Sequence, residues 1–157
     1  MLSEKKLLNL ISEKGFNFKL YTHEPLSTVE ESIKYRGAIE GKHSKNLFLK
    51  NKKNQFFLFS CLEDTAIDLK KISKSLAIGN ISFANENYLS LYLGVKPGAV
   101  TPFGLLNDKE NKVTFFFDGK FLKNEIINFH PLANTSTISM KTTDFINFLI
   151  ENKKKVN

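Results

Sequence analysis

The sequence predicts an α+β fold, one domain with a mixed, largely antiparallel sheet flanked by helices. Three observations predict it. Segments with helical spacing alternate with short β-prone runs, but without the regular βαβ rhythm of a parallel sheet. No internal repeat, low-complexity tract or Pro/Gly/Ser-rich linker divides the chain. A length of 157 residues, 41% hydrophobic and 25% charged, suits one substantial core, so residues 1–157 are read as a single domain.

Taken in order, Ser3 is the expected N-cap of a first helix whose Leu7, Leu8 and Ile11 share a face and which Gly15 stops. Phe16, Phe18 and Leu20 alternate with polar residues, the pattern of a half-buried strand. After the Glu24-Pro25 break, Ser27-Thr28-Val29-Glu30 has the capping-box pattern and opens a short helix ending near Gly37. Residues 45–50 and 55–61 are β-prone and separated by Asn51-Lys52-Lys53-Asn54, a hairpin signature. Residues 68–76 return to helical spacing, with Leu69, Ile72 and Leu76 on one face. A short strand at 81–83 and a helix at 85–93 follow, then a loop over 94–104 punctuated by Pro97-Gly98 and Pro102. Residues 113–117 form a strongly apolar strand, expected at the centre of the sheet, and Asp118-Gly119 turns the chain. Ile126-Ile127 and Ile138 mark two further strands, and an amphipathic helix over 142–152 carries Phe145, Phe148 and Leu149.

The net charge of +7 and pI near 9.4 fit a polyanionic partner such as nucleic acid; they fit equally a lysine-rich composition spread over a solvated surface. Arg36 is the sole arginine, which argues against bidentate base reading and leaves phosphate contacts to lysines. Lysines 42, 50, 52 and 53 are candidates for such contacts. No apolar run approaches the ~18 residues of a membrane span. The opening Met1-Leu2-Ser3-Glu4-Lys5-Lys6 has an acidic residue and lacks a signal peptide's continuous apolar stretch. A lone Cys61 excludes an internal disulfide framework, so the expected compartment is the cytoplasm.

Glycine-rich phosphate loops, G-x-G-x-x-G, HExxH and G-x-S-x-G are all absent. His23, His43, His130 and Cys61 lack metal-ligand spacing, so neither metal nor cofactor is expected. Cys61 follows an apolar run and reads as a buried structural thiol. Three segments stand out. Lys45-Asn46-Leu47-Phe48-Leu49 heads a β-prone run with a charge, which is also what a solvated strand end looks like. Residues 94–105 hold two prolines and three glycines; the backbone amides of such a loop can face a ligand, or the loop can be a rigid turn. In Phe129-His130-Pro131-Leu132-Ala133-Asn134-Thr135-Ser136-Thr137, a histidine restricted by the following proline can orient a substrate or be a structural hydrogen-bonder.

Together and in this order the three segments resemble the YbaK-like, prolyl-tRNA-synthetase-associated editing domains, and among them the free-standing Ala-tRNA(Pro) deacylases. The first is similar to their KNLFL signature. Residues 95–108 are similar to their V-x-P-G-A/S-V-T-P-F-G/A-L-x-N-D loop, and residues 129–137 to their FHPL-x-N-x-x-T segment. The resemblance runs from about residue 5 to residue 150. It implies hydrolysis of the ester joining alanine to the terminal adenosine of proline tRNA, without cofactor. By this resemblance Lys45 is the key catalytic-site lysine, Asn46 its polar neighbour and His130 a pocket histidine. Gly98 lines the aminoacyl pocket with backbone, and Asp118 is a looser match to an acidic position. Val29, Ile33 and Phe103 are the expected walls of a pocket that admits alanine and rejects proline. The position of Asn46 and the proline-glycine loop differ in the sister Cys-tRNA(Pro) deacylases, which favours alanine. The implied partners are the acceptor end of tRNA(Pro) and prolyl-tRNA synthetase. The alternatives are deacylation of Cys-tRNA(Pro) or another small-amino-acid tRNA, or a non-catalytic module that binds tRNA or synthetase.

Overall fold

Helix α1 (Glu4–Glu13) starts where Ser3 accepts the Lys6 amide and ends ahead of Gly15, whose φ of 83° would strain any residue with a Cβ. Its Leu7 and Ile11 are fully buried. The computed structural model describes residues 1–25 and 39–157, so the capping-box helix expected over 27–37 lies outside the described residues. Strand β1 (Lys19–Thr22) begins later than the alternation suggested. Phe16 and Phe18 pack against the core ahead of it, and Leu20 is 41% exposed. Pairing, which sets a strand's bounds, starts only at Lys19↔Ser139.

Strands β2 (Lys42–Asn51) and β3 (Phe56–Leu62) form the predicted hairpin. The Asn51 side chain organises its turn: Oδ1 accepts the Lys53 and Gln55 amides, and Nδ2 donates to Gln55 Oε1 and the Ile78 carbonyl. Helix α2 (Leu69–Leu76), N-capped by Asp68, and strand β4 (Ile81–Phe83) follow. Helix α3 (Glu86–Leu93) is capped by Asn85. The 94–104 segment is not loop throughout, because a 3-10 helix begins inside it and spans Pro102–Asn107. Thr101 Oγ1 accepts the Phe103 amide there, and Pro102 brings a preset φ to the first turn. Strand β5 (Val113–Phe117), a second 3-10 turn (Gly119–Lys123), β6 (Ile126–Phe129), β7 (Ser136–Lys141) and helix α4 (Thr142–Glu151) complete the described chain.

The strands make one seven-stranded sheet in the order β1-β7-β6-β2-β3-β5, with β4 beside β2. The β1/β7, β6/β7, β2/β3 and β2/β4 pairs are antiparallel; β2/β6 and β3/β5 are parallel. This is the mixed, largely antiparallel sheet the sequence predicts. The apolar strand β5 is at the sheet's end, not its centre. Its apolarity has another cause: Phe115 faces the main core and Phe116 a second cluster, so both faces are covered. Its outer edge is hydrogen-bonded to the backbone of Asn157.

The main core lies between one face of the sheet and α1, α3 and α4, with Phe103, Phe115, Phe121, Phe145 and Phe148 all buried. On the opposite face Leu47, Leu49 and Phe57 pack with Leu69 of α2. Phe103, expected as a pocket wall, is instead a core ring. It is 0% exposed and meets Phe129, Phe145 and Phe148 edge-on at centroid distances of 6.3, 5.6 and 5.9 Å. Phe103→Ala is therefore expected to cost about 3–5 kcal/mol of stability. A denaturant midpoint close to that of the parent protein would show that the ring is not a core element.

Candidate functional site

Strand alternation sorts the site residues. Phe48 of β2 belongs to the main core, so Asn46 shares that face, whereas Lys45 shares the opposite face with Leu47 and Leu49. Adjacent in sequence, Lys45 and Asn46 thus diverge. The Asn46 amide is tied within the sheet: Nδ2 donates to Ser44 Oγ at 3.1 Å, and Oδ1 accepts the Ser60 hydroxyl. The Lys45 ammonium is aimed by the main chain, donating to the Thr65 carbonyl at 2.9 Å.

The parallel ladder sets Lys42 opposite Ile127 and His43 opposite Asn128. Continuing that register brings Ser44 level with Phe129, and Ser44 Oγ does donate to the neighbouring Asn128 carbonyl at 2.8 Å. It brings Lys45 level with His130. Ile127 and Phe129 point into the main core, so alternation gives His130 the same face as Lys45. The Lys45 ammonium is bonded to the Thr65 carbonyl; the continued register relates Lys45 to His130, and the Gly98 turn approaches Asn134 in the His130 segment.

His130 Nδ1 lies 2.8 Å from the Ser136 carbonyl oxygen. A carbonyl only accepts, so Nδ1 carries the proton, and in the neutral ring Nε2 is the accepting nitrogen. A second histidine stands beside it. His23, buried, has its ring centroid 6.2 Å from that of His130. By the same logic His23 Nδ1 donates to the Glu24 carbonyl at 2.9 Å, and Nε2 accepts the Thr137 hydroxyl at 2.9 Å. His23 was not singled out as a site residue from sequence. The available signal was period-two continuation of β1, which places Lys19, Tyr21 and His23 on one face.

Gly98 sits in an exposed turn at φ 89°, closed by the Ala99 amide donating to the Lys96 carbonyl. A Cβ placed there would meet only Asn134 Nδ2, at 3.6 Å. The Gly98 backbone is therefore approachable, and it abuts the segment that carries His130. The rest of this motif is structural. A Cβ on Gly104 would lie 2.9 Å from the Leu93 carbonyl oxygen. Asn107 Nδ2 donates to that same oxygen while its Oδ1 accepts the Leu2 amide. Asp108 accepts the Lys112 and Val113 amides and starts β5.

Asp118 is the N-cap of the second 3-10 turn: its carboxylate accepts the Lys120 amide, and its own amide donates to the Ser60 carbonyl. It lies across β3 from Lys45, and both act electrostatically on Cys61, which pairs with Lys45 in the ladder. Burial pushes the Cys61 thiol above its ordinary value; Lys45 opposes that push, and Asp118 reinforces it. Cys61 is fully buried. Val29 and Ile33, the other expected pocket walls, lie outside the described residues. Lys42 and the pair Lys52 and Lys53 stand at opposite ends of β2, whose ten residues span roughly 30 Å, so they are not one surface. Lys50 instead lies over the Tyr88 ring, 5.5 Å from its centroid. Among the described residues no three His, Cys, Asp or Glu side chains are grouped to hold a metal ion, and no helix is long and apolar enough to cross a membrane.

Comparison with known proteins finds the aminoacyl-tRNA editing domain family matching residues 23–148. A prolyl-tRNA synthetase associated domain-containing protein 1 from Xenopus laevis is 38% identical over 150 residues, covering 92% of this chain and 89% of its own. The prolyl-tRNA editing protein ProX of Acetoanaerobium sticklandii is 32% identical, covering 92% and 88%. A multifunctional Ser/Thr-tRNA deacylase, ProXp-y, of Escherichia coli is 28% identical, covering 65% and 63%. Among solved structures, a "putative trans-editing enzyme for prolyl tRNA synthetase" superposes with a TM-score of 0.72 over 100% of this chain and 97% of that one. At 18% identity, that likeness speaks for the fold alone.

The raised Cys61 value fixes a pH dependence. As pH rises through 9.0, the ordinary thiol value, the unfolded chain releases this proton while the folded chain holds it. Stability is expected to fall with pH there, and Cys61→Ala is expected to remove that part of the slope. Denaturant titrations from about pH 7 to about pH 10 check it; equal slopes in the two proteins would refute it.

Proposed function

This chain belongs to the aminoacyl-tRNA editing domain family, and from that premise we propose that it is a trans-editing deacylase that removes alanine from Ala-tRNA(Pro). The observation that supports this reading best is the β2/β6 register, which, continued two residues past its last pair, brings Lys45 and His130 to one face of the sheet, with the Gly98 loop abutting the His130 segment.

An aminoacyl ester is already activated, so its hydrolysis needs positioning and charge stabilisation rather than a covalent nucleophile. Lys45 holds oxygens of the terminal nucleotide and orients the ester. Amides around Gly98 receive the carbonyl oxygen as negative charge builds on it. Water adds to the carbonyl carbon, the bond to the ribose oxygen breaks, and that oxygen takes up a proton. Free alanine and uncharged tRNA leave. His130, oriented by the Ser136 carbonyl, shapes the pocket on the side of the amino acid, with His23 and Thr137 keeping the wall in place. Asn46, on the other face, acts as a positioning residue by fixing β2 to β3 beneath Lys45.

Selectivity by size explains why such an enzyme is needed. A synthetase site shaped for proline discriminates against a smaller side chain by only ~1–3 kcal/mol per missing methylene. A second site too small for a pyrrolidine ring supplies the remainder. Val29 and Ile33 stay as proposed walls on the grounds of sequence alone. A second reading, a serine or threonine substrate, draws support from the Escherichia coli relative, which is named a Ser/Thr-tRNA deacylase. The proposed setting is the cytoplasm, with prolyl-tRNA synthetase as a proposed partner.

The test is deacylation of Ala-, Cys-, Ser-, Thr- and Pro-charged tRNAs by the purified protein. Ala-tRNA(Pro) is expected to be hydrolysed fastest and Pro-tRNA(Pro) spared. Lys45→Ala is expected to lose about 10²-fold or more in kcat/KM. Preferential hydrolysis of seryl or threonyl ester favours the second reading. No hydrolysis of any ester, or full activity in Lys45→Ala, overturns the mechanism.

A further inference from the structure

At the end of the sheet away from Lys45, three chain segments collect lysines. The β2–β3 turn carries exposed Lys52 and Lys53. The turn before β5 carries exposed Lys109 and Lys112, and the register Phe56↔Val113 sets Lys112 beside the hairpin. The segment after α4 carries Lys153, Lys154 and Lys155. Lys154 locks the last two segments together, its ammonium donating to the Asp108 carbonyl and to Asn111 Oδ1, each at 2.7 Å. Lys153, Lys154 and Asn111 separate two hollows of ≈ 230 and ≈ 270 Å³, the second also lined by Lys109. Acidic groups nearby are exposed Glu110 and Glu151 and the buried Asp108, whose carboxylate is occupied by main-chain amides. Burial lowers the Lys154 value, the Asp108 charge opposes that, and the Lys109 charge adds a smaller lowering.

We infer that this lysine-rich end, centred on Lys109, Lys112, Lys153 and Lys155, is a docking surface for the phosphate backbone of the RNA whose terminus enters the site. The inference rests on the proposed substrate class. Its support is charge complementarity and reach. From Cys61, the ladder partner of Lys45, to Phe56 and on to Lys112, the sheet spans roughly 20 Å at ~3.3 Å per residue. A phosphate backbone that leaves the Lys45 site along the strands reaches this end over that distance. Ammonium groups suit the task because they act as point charges on phosphate and need no base-specific fork.

The experiment measures binding of uncharged tRNA(Pro) across a salt series, for the parent protein and for the combined variant Lys109→Gln, Lys112→Gln, Lys153→Gln, Lys155→Gln, with Lys154 kept. A control variant, Lys123→Gln with Lys141→Gln, alters charge elsewhere, and thermal unfolding shows that all three proteins fold. The combined variant is expected to bind at least about tenfold more weakly, and its dependence of log Kd on log salt to flatten by about 0.7–0.9 per lost phosphate contact. KM for deacylation should rise with kcat kept. An unchanged slope, an equal loss in the control, or retention on phosphatidylserine vesicles in place of RNA overturns the surface. Lys45→Ala separates this from the proposed reaction: a dead enzyme whose RNA binding still weakens and flattens when the four lysines are replaced leaves the docking surface standing. A parent protein that binds RNA as expected but hydrolyses no ester defeats only the reaction.

Discussion

The molecule depends on one short seam. β2 is hydrogen-bonded to β3 along one edge, and its other edge is shared, β6 pairing at residues 42–43 and β4 at residues 49–51. The parallel pairing with β6 joins the β1-β7-β6 half of the sheet to the rest, and it amounts to two residue pairs. Side chains reinforce it: Ser44 Oγ reaches the Asn128 carbonyl, and Asn128 in turn holds the Glu40 carbonyl and accepts the Ser139 hydroxyl. Gly41 makes the approach possible. At φ 99°, any Cβ there would lie 2.6 Å from Ile126 Cγ2 and 2.9 Å from the Ile126 carbonyl oxygen, nearer than atoms can pack. The seam sets the register that relates Lys45 to His130, while the main core packs against both halves of the sheet.

Much of this was legible in the sequence because the signals were local. Ser3, Asp68 and Asn85 cap the helices they were expected to open, or stand one residue ahead of them. Asn51 to Asn54 turns the hairpin, with Asn54 at φ 57°. What could not be read was set by non-local partners. The run Val113–Phe117 looks central because apolarity reports coverage of two faces, not neighbours on two edges. Likewise Phe103 stands in a recognisable motif, but a motif does not separate residues that touch substrate from those that build the frame. In the 95–108 segment only the turn at Gly98 presents open backbone; Thr101, Gly104, Asn107 and Asp108 are engaged in capping, close packing and strand initiation.

The divergence of Lys45 and Asn46 bears on how the family signature is to be understood. A strand presents neighbouring residues to opposite sides, so a contiguous signature on a strand encodes two surfaces at once. Here one side carries the ammonium, and the other carries the Asn46–Ser60 and Asn46–Ser44 bonds that keep β2 in place. The histidines follow similar economy: each ring is oriented through Nδ1 by a carbonyl, so backbone geometry selects the proton's position. The Lys45 ammonium and the Nδ1 atoms of His23 and His130 are thus committed to main-chain partners, which favours preorganisation.

The handover of β2 from β6 to β4 leaves residues 44–47 with no strand alongside on that edge, among the described residues. The gap beside Lys45 is consequently a fork in the sheet and not a dent made by small side chains. Its location is written into the connectivity, so exchange of the residues around the fork alters what fits without disturbing any ladder. That freedom offers a physical reason why relatives sharing one scaffold can bear names for different amino acids.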